Sequence, residues 1–174
     1  MHRFGIMLAC AALLPASAAI AAPGGIGAMA AKSNTQNTRL VGSVREADLE
    51  ALVLAEGHTI DAKHPFESPS VRGKTKDGLL FVLIGTACDK NGIPGCRGIM
   101  MQVRYDQNDT VTWERMGKAS LAEAALAAWW DQEGETVGFT RYVVLDNGVT
   151  WMNIRQNLRV LLSIQESDRA TVFD

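Results

Sequence analysis

The stretch LLFVLIGTACDKNGIPGCRGIMMQVRYD, Leu79 to Asp106, decides the fold. Leu79–Cys88 is apolar at both alternating sets of positions, the pattern of a strand in the middle of a sheet. Arg97–Asp106 alternates in part. Ile99, Met101, Val103 and Tyr105 fall on one side; Met100, Gln102 and Arg104 fall on the other, which is more polar. Between the two runs lie Asp89, Asn91-Gly92 and Pro94-Gly95, all turn formers. The stretch therefore reads as an antiparallel hairpin with Cys88 and Cys96 at the two ends of its turn.

Working outward toward the N-terminus, Lys76-Asp77-Gly78 is a further turn signal and Ser70–Thr75 a short strand before it. SVREADLEALVLAEG, Ser43–Gly57, predicts a helix. Ser43 and Glu46 are spaced as a capping box, Val44, Ala47, Ala51, Leu52 and Ala55 share a face, and Gly57 supplies the stop. His58 and His64 fall in the polar stretch that follows and read as surface histidines.

Toward the C-terminus, Asp109 is placed to cap a short helix, Thr110–Lys118. Residues 119–130 carry two competing signals. SLAEAALAAWW has high helix propensity, but Asp131-Gln132-Glu133-Gly134 is a turn followed by the β-rich ETVGFTRYVVL. Hairpin logic favours a strand over Leu126–Trp130. Thr150 is placed to cap a final helix from Trp151 to about Glu166, with Trp151, Ile154, Leu158, Leu161 and Leu162 as its apolar stripe. The expected fold class is α+β, an antiparallel sheet of about five strands with helices packed on it, in the order α-β-β-β-α-β-β-α.

The 174-residue chain begins MHRFGIMLACAALLPASAAIAA, a basic start, an apolar run from Phe4 to Leu14 and small residues at Ala19 and Ala21. This predicts a signal peptide over residues 1–21, too short to span a bilayer. The remaining divisions expected are a spacer at 22–42, a domain at 43–168 and a tail at 169–174. Cleavage would remove one of the 17 basic residues and none of the 19 acidic ones. A mildly acidic chain lacks the footprint for nucleic acid, and no other stretch reads as a membrane span. The expected location is periplasmic or secreted.

Cleavage would also remove Cys10, leaving Cys88 and Cys96. An even pair in an oxidising compartment favours a structural disulfide, worth about 2–3 kcal/mol across so short a loop. A zinc site would need two more ligands, and neither histidine lies at a usual spacing from a cysteine. A redox pair would more often read C-x-x-C.

The series SPSVRGKTKDGLLFVLIGTACD, GCRGIMMQVRYD and DQEGETVGFTRYVVLDNGVTWMNIRQNL resembles the YbjN family over Ser43–Gln165. The family often has Trp-Asn where this chain has Trp113-Glu114. The resemblance implies a fold similar to type III secretion chaperones, small α+β proteins that often dimerise and clamp extended partner segments. It also implies a role in stress or sensory regulation without an established enzymatic reaction.

Residue chemistry points the same way. The sequence holds no G-x-S-x-G elbow, calcium-loop spacing, phosphate loop or dinucleotide fingerprint. Glu133 and Glu135 flank a hairpin glycine and read as solvated turn acids. No catalytic, cofactor or metal residues are assigned. The adjacent tryptophans Trp129 and Trp130 would face opposite sides of a strand, so one of them, with Tyr142 nearby, is expected on an interaction surface. The expected function is binding of a protein partner or a second copy. The alternative is small-ligand binding in an apolar pocket between sheet and helix.

Overall fold

Residues 37–174 are described in the computed structural model. The expected signal peptide and residues 22–36 of the expected spacer lie outside the described residues. In chain order the elements are β1 (Leu40–Val41), α1 (Glu46–Ala55), β2 (Thr59–Lys63), β3 (Ser70–Lys74), β4 (Leu80–Cys88) and β5 (Cys96–Asp106). Then come α2 (Trp113–Ala122), β6 (Ala127–Asp131), β7 (Thr136–Val144), β8 (Val149–Thr150) and α3 (Trp151–Phe173). The fold is α+β. Six strands form one antiparallel sheet in the order β2-β3-β4-β5-β7-β6, and β1 pairs separately with β8.

The hairpin over Leu79–Asp106 is the centre of that sheet. In its register Leu83 faces Met101, Gly85 faces Ile99 and Cys88 faces Cys96. Cys88 and Cys96 are disulfide-bonded. The turn between them is shaped by left-handed residues at Asp89, Asn91, Gly92 and Gly95.

One face of the sheet is buried under α1, α2 and α3. Leu49, Leu52 and Val53 of α1, Met116 and Ala119 of α2, and Ile154, Leu158 and Leu161 of α3 join a single cluster. From the sheet this cluster takes Val71, Leu83, Ile99, Met101, Val103, Val137, Phe139 and Val143. Packing of this extent supplies the main stabilisation, at roughly 25 cal/mol per Å² of apolar surface removed from water.

Five boundaries differ from the sequence reading. The sheet has a sixth strand, β2, because Thr59–Lys63 pairs along β3 as an edge. The chain folds before residue 43: Leu40 and Val41 pair with Thr150 and Val149, so the end of the expected spacer is structured. Helix α1 starts later than the Ser43–Glu46 box predicts. Val44 exchanges backbone hydrogen bonds with Cys96, at 2.9 and 2.7 Å, and this holds it extended. The cap is instead Arg45, whose N–H donates to the Asp48 carboxylate at 2.9 Å.

Helix α2 is capped by Thr112, not Asp109; its Oγ1 accepts from the Arg115 N–H at 3.2 Å. Thr110 is diverted into a turn by the Asn108 side chain, which accepts from both its N–H and its hydroxyl. Helix α3 runs through the expected tail to Phe173. Residues 119–130 divide between the two competing signals, helix to Ala122 and strand from Ala127.

Candidate functional site

The alternation of side chains along a strand gives the sheet a second face. The register places Ser70, Arg72, Val82, Ile84, Gln102, Arg104, Trp129, Gly138, Thr140 and Tyr142 on it. Val82 and Ile84 are buried there yet do not belong to the main core cluster. No helix of the described residues covers this face; its cover is the β2–β3 connection, residues 64–69. The connection is tied down by three bonds: His64 N–H to the Ser70 carbonyl, Gly85 N–H to the Pro69 carbonyl, and Phe66 N–H to Ser70 Oγ at 3.2 Å.

The two tryptophans part as adjacent strand residues must. Trp130 lies opposite Val137 on the core face, packs against Trp113 of α2 with ring centroids 4.8 Å apart, and donates from Nε1 to Gln107 at 2.6 Å. Trp129 lies on the open face opposite Gly138. Its indole rests directly on the glycine backbone, so a Cβ at Gly138 would stand 2.0 Å from a ring carbon. Tyr142 shares the open face, half exposed at 51%. It reaches across Gly98 to hydrogen-bond Thr86 at 2.7 Å. The structure thus brings Trp129 and Tyr142 to one surface and sends Trp130 to the other side.

A polar relay fixes the centre of this face. Thr140 Oγ1 accepts from Trp129 Nε1 at 2.7 Å and from Gln102 Nε2 at 2.9 Å. The other end of the buried Gln102 amide, Oε1, accepts from Arg104 Nε at 3.0 Å and Nη2 at 2.6 Å. The Arg104 guanidinium stands over the Phe66 ring at 4.7 Å and the Trp129 ring at 5.6 Å, so it is within cation–π reach of both. Burial lowers its pKa below the ordinary arginine value. Beside it, Pro65, Phe66, Leu80, Phe81 and Val82 line a pocket of about 280 Å³. Arg72, also in that lining, is paired with Asp61 at 2.6 Å.

Comparison with protein-family models, with curated proteins and with solved structures finds no match to this chain. The site is therefore argued from its own geometry.

A larger cleft, about 830 Å³, opens at the end of the sheet between α3, the β3–β4 turn and the end of α1. His58, Lys76, Leu79, Tyr105, Leu162 and Arg169 contribute to it, so its lining is mixed. Burial lowers the His58 pKa, against the raising effect of Glu56. Burial also raises that of Tyr105, whose hydroxyl donates to Gln165. His64, by contrast, pairs with Glu46 at 2.5 Å on the surface. Glu133 and Glu135 lie at the β6–β7 turn, Glu135 in the left-handed region.

Arg104 and Phe66 are the members of the site that sequence reasoning missed. Arg104 carried a weak signal, a charge on the more polar side of a central strand. Phe66 carried none, because a loop residue's partner is set by the pairing of β2, which the pattern did not reveal.

Proposed function

We propose that this chain is an exported, non-enzymatic binding domain of the YbjN kind. Its helix-free sheet face holds a segment of another protein. The observation that carries this reading is the ordered cluster of Trp129, Arg104 and Phe66, with the exposed Tyr142 on the same face, which α1, α2 and α3 leave uncovered. Rigid aromatics and arginine are the residue types that dominate interface energetics. The Cys88–Cys96 disulfide supports an oxidising destination. No helix among the described residues is long and apolar enough to cross a membrane.

The test places a photo-crosslinking amino acid at position 142, with position 54 as the control. Leu54 lies on α1 on the opposite side and is similarly exposed, at 58%. Discrete adducts at 142 and not at 54 in intact cells support the reading. An adduct of twice the chain mass identifies the partner as a second copy. No adduct at 142, or the same adducts at both positions, counts against it. The small-ligand alternative rests on the larger cleft by α3. It would be favoured if anionic metabolites raised Tm in wild type and lost that effect in Lys76→Ala.

A further inference from the structure

The relay that anchors Arg104 also dictates what it has left to offer. A guanidinium has five N–H donors. Gln102 Oε1 takes one from Nε and one from Nη2, which occupies one edge of the plane. The Phe66 and Trp129 rings stand 4.7 and 5.6 Å from its central carbon. The Nη1–Nη2 edge is what remains, open to a partner lying in the guanidinium plane. Among the described residues Arg104 makes no ion pair, while its neighbour Arg72 is satisfied by Asp61. Arg104 is exposed to solvent. A planar carboxylate is the group that fits two parallel N–H donors in a plane.

The pocket next to this edge bounds the rest of the ligand. Its 280 Å³ lies just under the range of drug-sized ligand sites and has room for an aliphatic side chain together with part of the chain that carries it. Pro65, Phe66, Leu80, Phe81 and Val82 form its apolar side and Arg72, Gln102 and Arg104 its polar side. A carboxylate within a few bonds of one aliphatic side chain describes the last residue of a polypeptide. A fatty acid has the carboxylate, but its bare alkyl tail would lie against Arg72 and Gln102 with nothing to offer them, whereas a peptide brings backbone N–H and C=O groups; an internal acidic side chain has no aliphatic side chain on the same residue. We infer that the open face is a receptor for a free peptide C-terminus ending in an aliphatic residue. Arg104 takes the terminal carboxylate and the pocket between Phe66 and Leu80 takes the side chain. This deepens the protein-binding reading and rests on it.

The experiment uses a fluorescein-labelled hexapeptide ending in leucine, prepared as the free acid and as the C-terminal amide, titrated by fluorescence anisotropy into the purified protein. The acid should bind about tenfold or more tightly than the amide, the difference expected for a two-point charged contact. In Arg104→Gln the difference should collapse; in Arg104→Lys, which keeps the charge without the fork, it should shrink. Equal affinities of acid and amide for wild type, or no binding of either, overturn the proposal whether or not the variants fold. Decanoate displacing the acid peptide at lower concentration than an unlabelled copy overturns the peptide assignment in favour of a fatty acid. If the crosslinks at position 142 persist while acid and amide bind equally, the carboxylate inference fails and the protein-binding reading stands.

Discussion

At the scale of single residues, the sharpest consequences come from two side chains whose environments oppose their chemistry. Asp168 lies on α3, 1% exposed, with one carboxylate oxygen that has no hydrogen-bond partner among the described residues. Burial, with a smaller push from Glu123 at the end of α2, raises its pKa to about 6. An acid whose folded pKa lies above its ordinary 3.8 binds its proton more tightly when folded. Its contribution to stability is therefore full below the ordinary value and lost as pH rises through 6. Asp168→Asn should be more stable than wild type by about 1–2 kcal/mol at pH 8, and the gap should fall to about half of that at pH 5. Urea denaturation at the two pH values checks this, and a gap independent of pH refutes it. Gly138 poses the opposite problem, since the Trp129 indole occupies the space of the missing side chain. Gly138→Ala should lift the ring off the sheet, break its bond to Thr140, shift tryptophan emission to the red and cost about 1–3 kcal/mol.

At the scale of elements, the clearest case is the C-terminal helix. The apolar stripe of α3 is Trp151, Ile154, Leu158 and Leu161, and its helical continuation falls on Gln165, Asp168 and Val172, all buried. Two polar residues in the buried positions break the hydropathy signal, which is why the pattern ended near Glu166 and residues 169–174 read as a tail. Those residues are packed. Val172 is fully buried, the Phe173 ring meets Tyr105 at 5.7 Å, and the Val172 and Phe173 carbonyls accept from Arg115 and Thr110. Ending the chain at Asp168 should therefore lower unfolding free energy by about 2–4 kcal/mol. A true tail would leave the urea midpoint unmoved. The same logic sorts the other elements. Strands β4, β5 and β7 were legible because apolar runs or partial alternation agree there with the turn residues that bound them. Strand β2 was not, since an edge strand reading TIDAK needs no apolar face. The starts of α1 and α2 were displaced by contacts that no local pattern encodes, Val44 with Cys96 and Asn108 with Thr110. Of the candidate site, the split of Trp129 from Trp130 followed from strand geometry alone. The Arg104–Phe66 contact depends on a loop anchored across the sheet and was out of reach.

At the scale of the whole molecule, the sheet separates stability from recognition by its two faces, and the adjacent tryptophans let that separation be measured. Trp130 packs against the helix-side core and holds α2 through Trp113 and the β5–α2 connection through Gln107. Trp129 lies on the other face, where its partners are Gly138, Thr140 and Arg104. Truncating Trp130 removes a large ring that bridges two layers, whereas truncating Trp129 removes one wall of a surface cluster. Trp130→Ala should cost about 3–4 kcal/mol in unfolding free energy. Trp129→Ala should cost about 1 kcal/mol, the loss of one neutral hydrogen bond and surface packing. Crosslinking from position 142 should respond in the reverse order. It should be lost in Trp129→Ala and kept in Trp130→Ala at temperatures where that variant remains folded. Equal stability losses for the two substitutions would mean that the open face is as structural as the core. Loss of crosslinking in the Trp130 variant alone would move the recognition surface to the side of α2.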